Sequence, residues 1–297
     1  MKKIPPENPV DWHTFGRFLF SCYEADPGYY ILDYLRQDGV EPDQLKRFVV
    51  AWTAFYNLGI AAKASEYRGK QFYDYLHKVY PTAKRASERR HFRGQAGLNA
   101  LAQWQRAWPK PEHLADYVMH RDMGKIRDRC SEVMLYGDYF KWKWGDLTEV
   151  LLQKSVMFQG WEHVSPKVPQ QGAALIAKEA GKPGMTTAEV YRGIAKQMVK
   201  AGVRSPYAPW REFNVQDAET ICCVYKQYRS GGYFPGLRTA KAAVRLATDG
   251  EECETARRAL KLLLKNQPVK QLTSMDRLNN IASGELRYNV EDLYAPN

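Results

Sequence analysis

Apolar residues recur at three- and four-residue steps along most of the chain, and this periodicity limits the fold more than any other feature. After Leu45, for example, apolar side chains occupy Phe48, Val49, Trp52 and Tyr56. This spacing gathers apolar side chains on one face of an α-helix, whereas a half-buried strand would alternate with period two. Few stretches of the chain alternate in that way. The sequence therefore predicts an all-α protein.

Capping residues locate several helices along this pattern. One long helix is predicted over "DQLKRFVVAWTAFYNLGIAAKAS", with Asp43 as its N-cap. A second is predicted over "TTAEVYRGIAKQMVKAG", which begins with a threonine cap, and a third over "NVQDAETICCVYKQYRSG", capped by Asn214. These positions divide the chain into amphipathic helices joined by short turns.

Changes in composition suggest how the chain is organised. Residues 158–185 hold three prolines and four glycines, which predicts a connector or insertion with one short helix in it. The first 240 residues are expected to form one helical domain. Residues 241–297 are expected to form a helical extension packed on that domain.

The charge of the chain favours a polyanionic partner. The formal net charge is +11 and the isoelectric point is about 9.3. Residues 82–130 carry 11 Lys and Arg against 5 Asp and Glu, and residues 201–270 carry 12 against 7. Two separated basic stretches suggest two strips of surface that contact nucleic acid. The alternative is a surface that is charged only for solubility.

Several familiar chemistries lack their motifs. Each of the Gly-Lys pairs misses the Ser or Thr of a phosphate-binding P-loop, and no G-x-S-x-G or H-E-x-x-H occurs. The five cysteines include no C-x-x-C pair, so we expect no metal site and no disulfide framework. No apolar run is long enough for a transmembrane helix, and the N-terminus lacks a secretory signal. A cytoplasmic protein is expected.

The stretch "YGDYFKWKWGDLTEVL" mixes aromatic and charged residues on one predicted helix. Lys143 and Asp146 are three residues apart and share a face of that helix, with Tyr139 and Trp142 one turn earlier. One interpretation is a buried ion pair beneath aromatic packing. The other is a site in which a carboxylate acts as a base beside a lysine that holds a phosphate.

Three further groups of residues suggest the same kind of site. Glu219 and Lys226 lie on one polar stripe of an otherwise apolar helix, and Asn57 lies among aromatic residues. Asn57 either links helices or pairs with the edge of a base. In "ERRHFRGQAG", Arg93 belongs to an arginine cluster at a predicted helix start, where phosphate binds well.

Taken in order, four motifs resemble one family. They are "AWTAFYNLGIAAK", "RHFRGQAG", "YGDYFKWKWGDL" and "VQDAETICCVYKQYRSGGYFPG". The set is similar to the bacteriophage amino acid:DNA transferases, also described as α-glutamyl/putrescinyl-thymine pyrophosphorylases. The resemblance extends from about residue 12 to residue 240. It implies an all-helical architecture distantly related to the helix-hairpin-helix DNA glycosylases, although their Leu-Pro-Gly-Val-Gly hairpin is missing here.

The resemblance also implies a reaction. An amine, such as glycine or putrescine, displaces pyrophosphate from 5-(diphosphooxymethyl)uracil in phage DNA, and the product is a hypermodified thymine. A 5-hydroxymethyluracil DNA kinase would prepare the substrate. No cofactor is expected to be required, although Mg²⁺ would be brought by the diphosphate.

The residue types fit this chemistry, and we assign roles accordingly. Asp146 and Glu219 are the candidate general bases that remove a proton from the attacking amine. The candidate phosphate-binding residues are Lys143, Lys226 and Arg93. The candidate base-binding residues are Asn57, Trp142 and Tyr139.

Two other classes of protein remain open from the sequence. A DNA glycosylase acting on a modified base would also need a carboxylate in a cleft. A non-catalytic helical DNA-binding module would use the basic stretches alone. A requirement for carboxylates in a cleft therefore distinguishes either enzyme from the binding module.

Overall fold

The computed structural model describes residues 3–84, 92–158 and 165–295. These residues form sixteen α-helices and one 3-10 helix at Lys270–Leu272. The predicted all-α class is therefore confirmed. The α-helices, in chain order, are α1 (Trp12–Ser21), α2 (Pro27–Gln37), α3 (Pro42–Phe55), α4 (Leu58–Ser65), α5 (Gly69–Val79), α6 (Gly94–Ala107), α7 (Pro111–Val118), α8 (Met123–Glu132), α9 (Asp138–Leu152), α10 (Lys167–Glu179), α11 (Thr187–Lys200), α12 (Val215–Arg229), α13 (Leu237–Thr248), α14 (Glu254–Asn266), α15 (Met275–Ser283) and α16 (Val290–Leu293).

The chain divides into two compact units, and each is built from separate chain segments. The first unit contains Met1–Tyr30, Gly160–Lys241 and Leu264–Asn297. The second unit contains Ile31–Gln159 and Ala242–Leu263. The segment predicted as a C-terminal extension thus contributes to both units. The predicted boundary at residue 240 and the glycosylase-like architecture stay predictions. No helix in the described ranges is long and apolar enough to cross a membrane.

The first unit is built around α12, which packs against α1, α10 and α11. α10 and α12 cross closely at Gly172. A Cβ atom at this glycine would lie 2.0 Å from the backbone oxygen of Cys222. Real Cβ atoms do not approach non-bonded atoms so closely. The crossing therefore requires a residue without a side chain at position 172.

We therefore expect Gly172→Ala to destabilise the protein. Overpacking of a tight contact typically costs about 1–3 kcal/mol, and here the obstacle is backbone that cannot rotate away. Gly193→Ala is the matched control, because a Cβ at this helical glycine of α11 meets no atom within 4 Å. Thermal unfolding followed by circular dichroism measures both variants. A melting temperature of Gly172→Ala equal to that of Gly193→Ala would contradict the close crossing.

The second unit is built around α3, which packs against α4, α7 and α9. α9 also packs against α8, and α5 packs against α6. Nearly every side chain of α3 from Leu45 to Phe55 is buried. This burial makes α3 the central helix of the unit, and α9 packs on both α3 and α8.

The long helix predicted from Asp43 onward is in fact two helices. α3 ends at Phe55, Tyr56 has the left-handed conformation with φ 52°, and α4 begins at Leu58. Asn57 caps α4, since its side-chain oxygen accepts hydrogen bonds from the first turn. Asp43 is not the N-cap of α3, because the side chain of Glu41 takes that position.

The remaining helix predictions have mixed outcomes. Thr186 caps α11 and Asn214 caps α12, each in a reciprocal capping box, so both predicted helix starts are confirmed. The segment predicted as a connector with one short helix instead contains α10, which has 13 residues. Pro166 is the N-cap of this helix, Pro169 lies in its first turn, where proline is tolerated, and Pro183 follows its end.

Candidate active site

Three charged residues follow one another at three-residue steps along α9. Lys143 is 7% exposed, Asp146 is 2% exposed and Glu149 is fully buried. Residues at this spacing occupy neighbouring positions on a helix surface. Burying an ion costs several kcal/mol unless it is paired and hydrogen-bonded. Charged side chains are seldom buried, so a row of three on one helix is a candidate functional site.

Aromatic rings surround the ammonium group of Lys143. Its Nζ lies 5.9 Å from the ring centroid of Trp52, 5.6 Å from that of Tyr56 and 5.7 Å from that of Tyr139. All three distances are within the range of a cation–π interaction. We call these three rings the aromatic cage. It holds the lysine ammonium between α3 and α9.

The rings of the cage also support one another. Trp52 and Tyr56 are stacked with centroids 5.3 Å apart, and the rings of Tyr56 and Tyr139 meet edge to face at 6.1 Å. The hydroxyl of Tyr139 donates to the hydroxyl of Tyr56 at 2.9 Å. Trp52 is buried, whereas both tyrosines are half-buried. The two tyrosines thus form the accessible side of the cage.

Asn57 follows directly after the cage residue Tyr56 and is buried. Its Oδ1 accepts hydrogen bonds from the backbone nitrogens of Gly59 and Ile60. Its Nδ2 donates to the backbone oxygen of Lys84 at 3.0 Å and to Oδ2 of Asp249 at 2.7 Å. Both ends of the amide are therefore used within the chain, which favours the structural interpretation of this residue. Its predicted role in reading a base stays a prediction.

Trp142 occupies a different environment from Tyr139. Trp142 is 2% exposed, and its ring meets that of Phe158 edge to face at 5.2 Å. This burial favours a packing role, because a base could stack on Trp142 only after Phe158 or its neighbours had moved. Tyr139, in contrast, presents ring surface without any rearrangement. The stacking roles of both residues stay predictions.

Glu149 is the charged residue of α9 that sequence analysis missed. Its Oε1 accepts a hydrogen bond from the backbone nitrogen of Val156 at 2.9 Å. This bond ties the loop after α9 to the buried row of charges. The spacing from Lys143 through Asp146 to Glu149 was a visible signal, since a third polar residue continued the same stripe.

The other predicted carboxylate lies on α12, in the first unit. Glu219 is buried, and Lys226 is half-buried two turns later. Burial, together with the negative charge of Glu219, raises the pKa of Cys222 well above its ordinary value. Cys222 is therefore a thiol and not a thiolate nucleophile at neutral pH. The same two causes raise the pKa of Tyr191 on α11.

Asp217 is also buried on α12, but its surroundings indicate a structural role. Its carboxylate forms an ion pair with Arg211 at 2.5 Å, and it accepts hydrogen bonds from the hydroxyls of Ser205 and Tyr207. It also completes the capping box with Asn214. The oxygens of this carboxylate are already engaged by donors of the chain, which leaves Glu219 as the candidate base on this helix.

Arg93 is exposed at the start of α6, where it occupies the N-cap position without a side-chain cap. Its two predicted neighbours, Arg89 and Arg90, lie outside the described residues. An exposed guanidinium at a helix N-terminus suits a phosphate. Its role in phosphate binding stays a prediction.

The predicted site residues divide between the two units. Tyr139, Trp142, Lys143 and Asp146 lie together on α9 of the second unit, to which Asn57 and Arg93 also belong. Glu219 and Lys226 lie together on α12 of the first unit. The assignment of both groups to one reaction stays a prediction. Within residues 3–84, 92–158 and 165–295, no three His, Cys, Asp or Glu side chains are grouped to hold a metal ion.

Comparisons with known proteins place this geometry in context. A model of the amino acid:DNA transferase family matches residues 41–234. A putrescinyltransferase of Delftia phage PhiW-14 is 25% identical over 256 residues, covering 83% of this chain and 81% of that protein. A glycinyltransferase of Pseudomonas phage PaMx11 is 25% identical over 248 residues, covering 74% of this chain and 84% of that protein. The family match contains the whole aromatic cage and both candidate bases.

Proposed function

Because the chain belongs to the amino acid:DNA transferase family, we propose that it attaches an amine to 5-(diphosphooxymethyl)uracil in DNA. The amine nitrogen forms a bond to the exocyclic methylene carbon. The bond from that carbon to the diphosphate oxygen breaks, and pyrophosphate leaves with both electrons. The family match supports this proposal, and the buried charged residues of α9 are the site that we propose for the chemistry.

The amine must lose a proton as it attacks. Asp146 is the proposed acceptor, because it is a buried carboxylate on the same helix face as the caged lysine. A positioned carboxylate is a common general base for a proton transfer of this kind. Glu219, a buried carboxylate on α12, is the alternative acceptor.

The departing pyrophosphate needs positive charge. Lys143 is the proposed main contact, and Lys226 and Arg93 are proposed to assist it. Cations fixed in a site of low dielectric stabilise developing charge far better than cations in water. Mg²⁺ bound to the diphosphate would add to this charge without a ligand set from the chain.

The pyrimidine must leave the base stack, or be met on a single strand, before its methylene carbon can be reached. Tyr139 is the proposed stacking surface, since its ring is half-buried beside Lys143. Stacking of a base on an aromatic side chain contributes about 1–3 kcal/mol. Trp142 and Asn57 would contribute only after local rearrangement, given their burial.

The names of the relatives bear on the co-substrate. One is a putrescinyltransferase and the other a glycinyltransferase, so one protein is named for a diamine and the other for an amino acid. We propose that this chain takes a small primary amine of either kind. A 5-hydroxymethyluracil DNA kinase is the proposed source of the diphosphorylated DNA.

DNA binding should weaken steeply as salt rises. Arg106, Lys110, Arg121 and Lys125 are all exposed in the basic stretch between residues 82 and 130. Each phosphate contact contributes about −0.9 to the slope of log affinity against log salt, so four contacts give roughly a hundredfold loss between about 50 and 200 mM. Fluorescence anisotropy with labelled DNA measures this slope.

A matched pair of variants tests whether the basic stretch causes the salt dependence. Lys125→Gln should reduce the slope by about 1. Lys182→Gln, which also removes an exposed lysine but lies outside both basic stretches, should leave the slope unchanged. A flat dependence on salt for the parent protein would mean that the basic residues serve only solubility.

Pyrophosphate release tests the proposed reaction directly. The protein is mixed with DNA containing 5-(diphosphooxymethyl)uracil, with or without an amine, and pyrophosphate is measured with a pyrophosphatase-coupled assay. We expect release that depends on both amine and protein. Release of free base with formation of abasic sites would instead support a glycosylase.

A further inference from the structure

The aromatic cage has the composition of a binding site for an ammonium ion. An energetically significant cation–π contact occurs about once per 70–80 residues in protein structures. Here three rings converge on a single nitrogen, the Nζ of Lys143, at 5.6–5.9 Å. Trp52 lies on α3, Tyr56 directly follows that helix and Tyr139 lies on α9, and each ring contacts another ring of the cage. This is an assembled site rather than a chance contact.

The backbone at Tyr56 supports the same interpretation. Tyr56 adopts φ 52° and ψ 44°, a left-handed conformation that is uncommon for residues other than glycine, asparagine and aspartate. Strained conformations of this kind persist where the surroundings hold them, and they concentrate at functional sites. Here the conformation ends α3 and positions the Tyr56 ring over the Lys143 ammonium.

We propose that Trp52, Tyr56 and Tyr139 form a built ammonium site whose natural occupant is the side chain of Lys143. The three rings hold this ammonium in one place, so that Lys143 acts as a fixed cation in the transfer reaction. Trp52 and Tyr56 are thus positioning residues that act through Lys143. Their role in catalysis rests on the proposed function, whereas the ammonium site itself does not depend on it.

An emptied cage should accept a small ammonium ion from solution. Lys143→Ala removes the occupant and leaves the rings, and methylammonium is the smallest probe that reproduces the end of a lysine side chain. We expect isothermal titration calorimetry to detect saturable binding of methylammonium chloride to Lys143→Ala. Sodium chloride at the same ionic strength should give no such signal, and the parent protein should not bind the probe.

Double variants test whether the rings are responsible. In the Lys143→Ala background, Tyr56→Leu should weaken methylammonium binding at least tenfold, because cation–π contacts in desolvated sites are worth about that factor. Tyr56→Phe keeps the ring and should bind more tightly than Tyr56→Leu. Tyr67→Leu is the matched control, since Tyr67 is a half-buried tyrosine stacked on Tyr75 in the same unit. It should bind methylammonium like Lys143→Ala alone.

The outcomes separate this inference from the proposed function. Absence of saturable binding, or equal binding in the Tyr56→Leu and Tyr67→Leu backgrounds, would overturn the ammonium site without bearing on amine transfer. If Lys143→Ala binds methylammonium but the parent protein shows no transferase activity, the proposed function alone is overturned. If Lys143→Ala does not fold, single variants replace it. Tyr56→Leu should then transfer amines at least about tenfold more slowly than Tyr56→Phe, and equal rates would overturn the proposal.

Discussion

Asp146→Asn should fold like the parent protein and lose most of its transfer activity, by about 10²–10⁴-fold in turnover. The substitution keeps the shape of the side chain and removes the charge that accepts a proton from the amine. Glu219→Gln makes the same change at the second candidate base. We expect at least one of the two variants to retain DNA binding while it loses turnover. Single-turnover kinetics and anisotropy on the same preparations measure the two properties.

Asp138→Asn is the matched control, because Asp138 is an exposed carboxylate on the same helix. It should transfer amines at the parental rate. The structural alternative for Asp146 is a buried charge partner whose loss costs about 3–5 kcal/mol. A lowered melting temperature would reveal that case, so thermal unfolding is measured for every variant. Normal folding and parental rates in both carboxamide variants would show that the proposed site is wrong.

Lys143→Ala should produce the second large effect. Removing one fixed donor from the stabilisation of a developing charge typically costs about 10²–10³-fold in turnover. We expect turnover of the DNA that carries the diphosphorylated base to fall, because Lys143 is proposed to hold the pyrophosphate group as it departs. Steady-state kinetics at varied concentrations of modified DNA measure kcat and KM separately.

Lys141→Ala is the control for this prediction. Lys141 is a half-buried lysine on α9 that forms an ion pair with Asp138 at 3.0 Å. Lys141→Ala removes one positive charge from α9 but leaves the Lys143 ammonium group in the aromatic cage. Equal effects of Lys141→Ala and Lys143→Ala would indicate that only the overall positive charge of α9 matters.

Local sequence signals predicted much of the helical structure. The capping residues Thr186 and Asn214 fixed the starts of α11 and α12 because a side-chain cap satisfies backbone amides wherever the helix later packs. The break between α3 and α4 was not predicted, since the apolar spacing continues through it. The ring of Tyr56 meets Tyr139 of α9, and the sequence could not show this tertiary contact at the break.

The candidate site was predicted in part for similar reasons. The spacing of Lys143 and Asp146 is a local property of one helix, and the sequence was sufficient to single it out. Burial is not local, so the sequence could not show that Trp142 is enclosed. The cap at Asn57 is local, but it was not predicted because the continuous apolar spacing indicated one helix through this residue. The aromatic cage joins Trp52 of α3 and the following Tyr56 with Tyr139 of α9. Only the packing of α3 against α9 brings these residues together.

The identity of the modified nucleoside tests the central claim most directly. DNA containing 5-(diphosphooxymethyl)uracil is incubated with the protein and a mixture of glycine, putrescine and other small amines, then digested and analysed by mass spectrometry. We predict a thymidine derivative in which one of these amines is joined through its nitrogen to the exocyclic methylene. Its formation should require the protein and should be greatly reduced by Asp146→Asn or Glu219→Gln. Recovery of only the unchanged or hydrolysed nucleoside, or of abasic sites, would contradict the assignment of amine transfer.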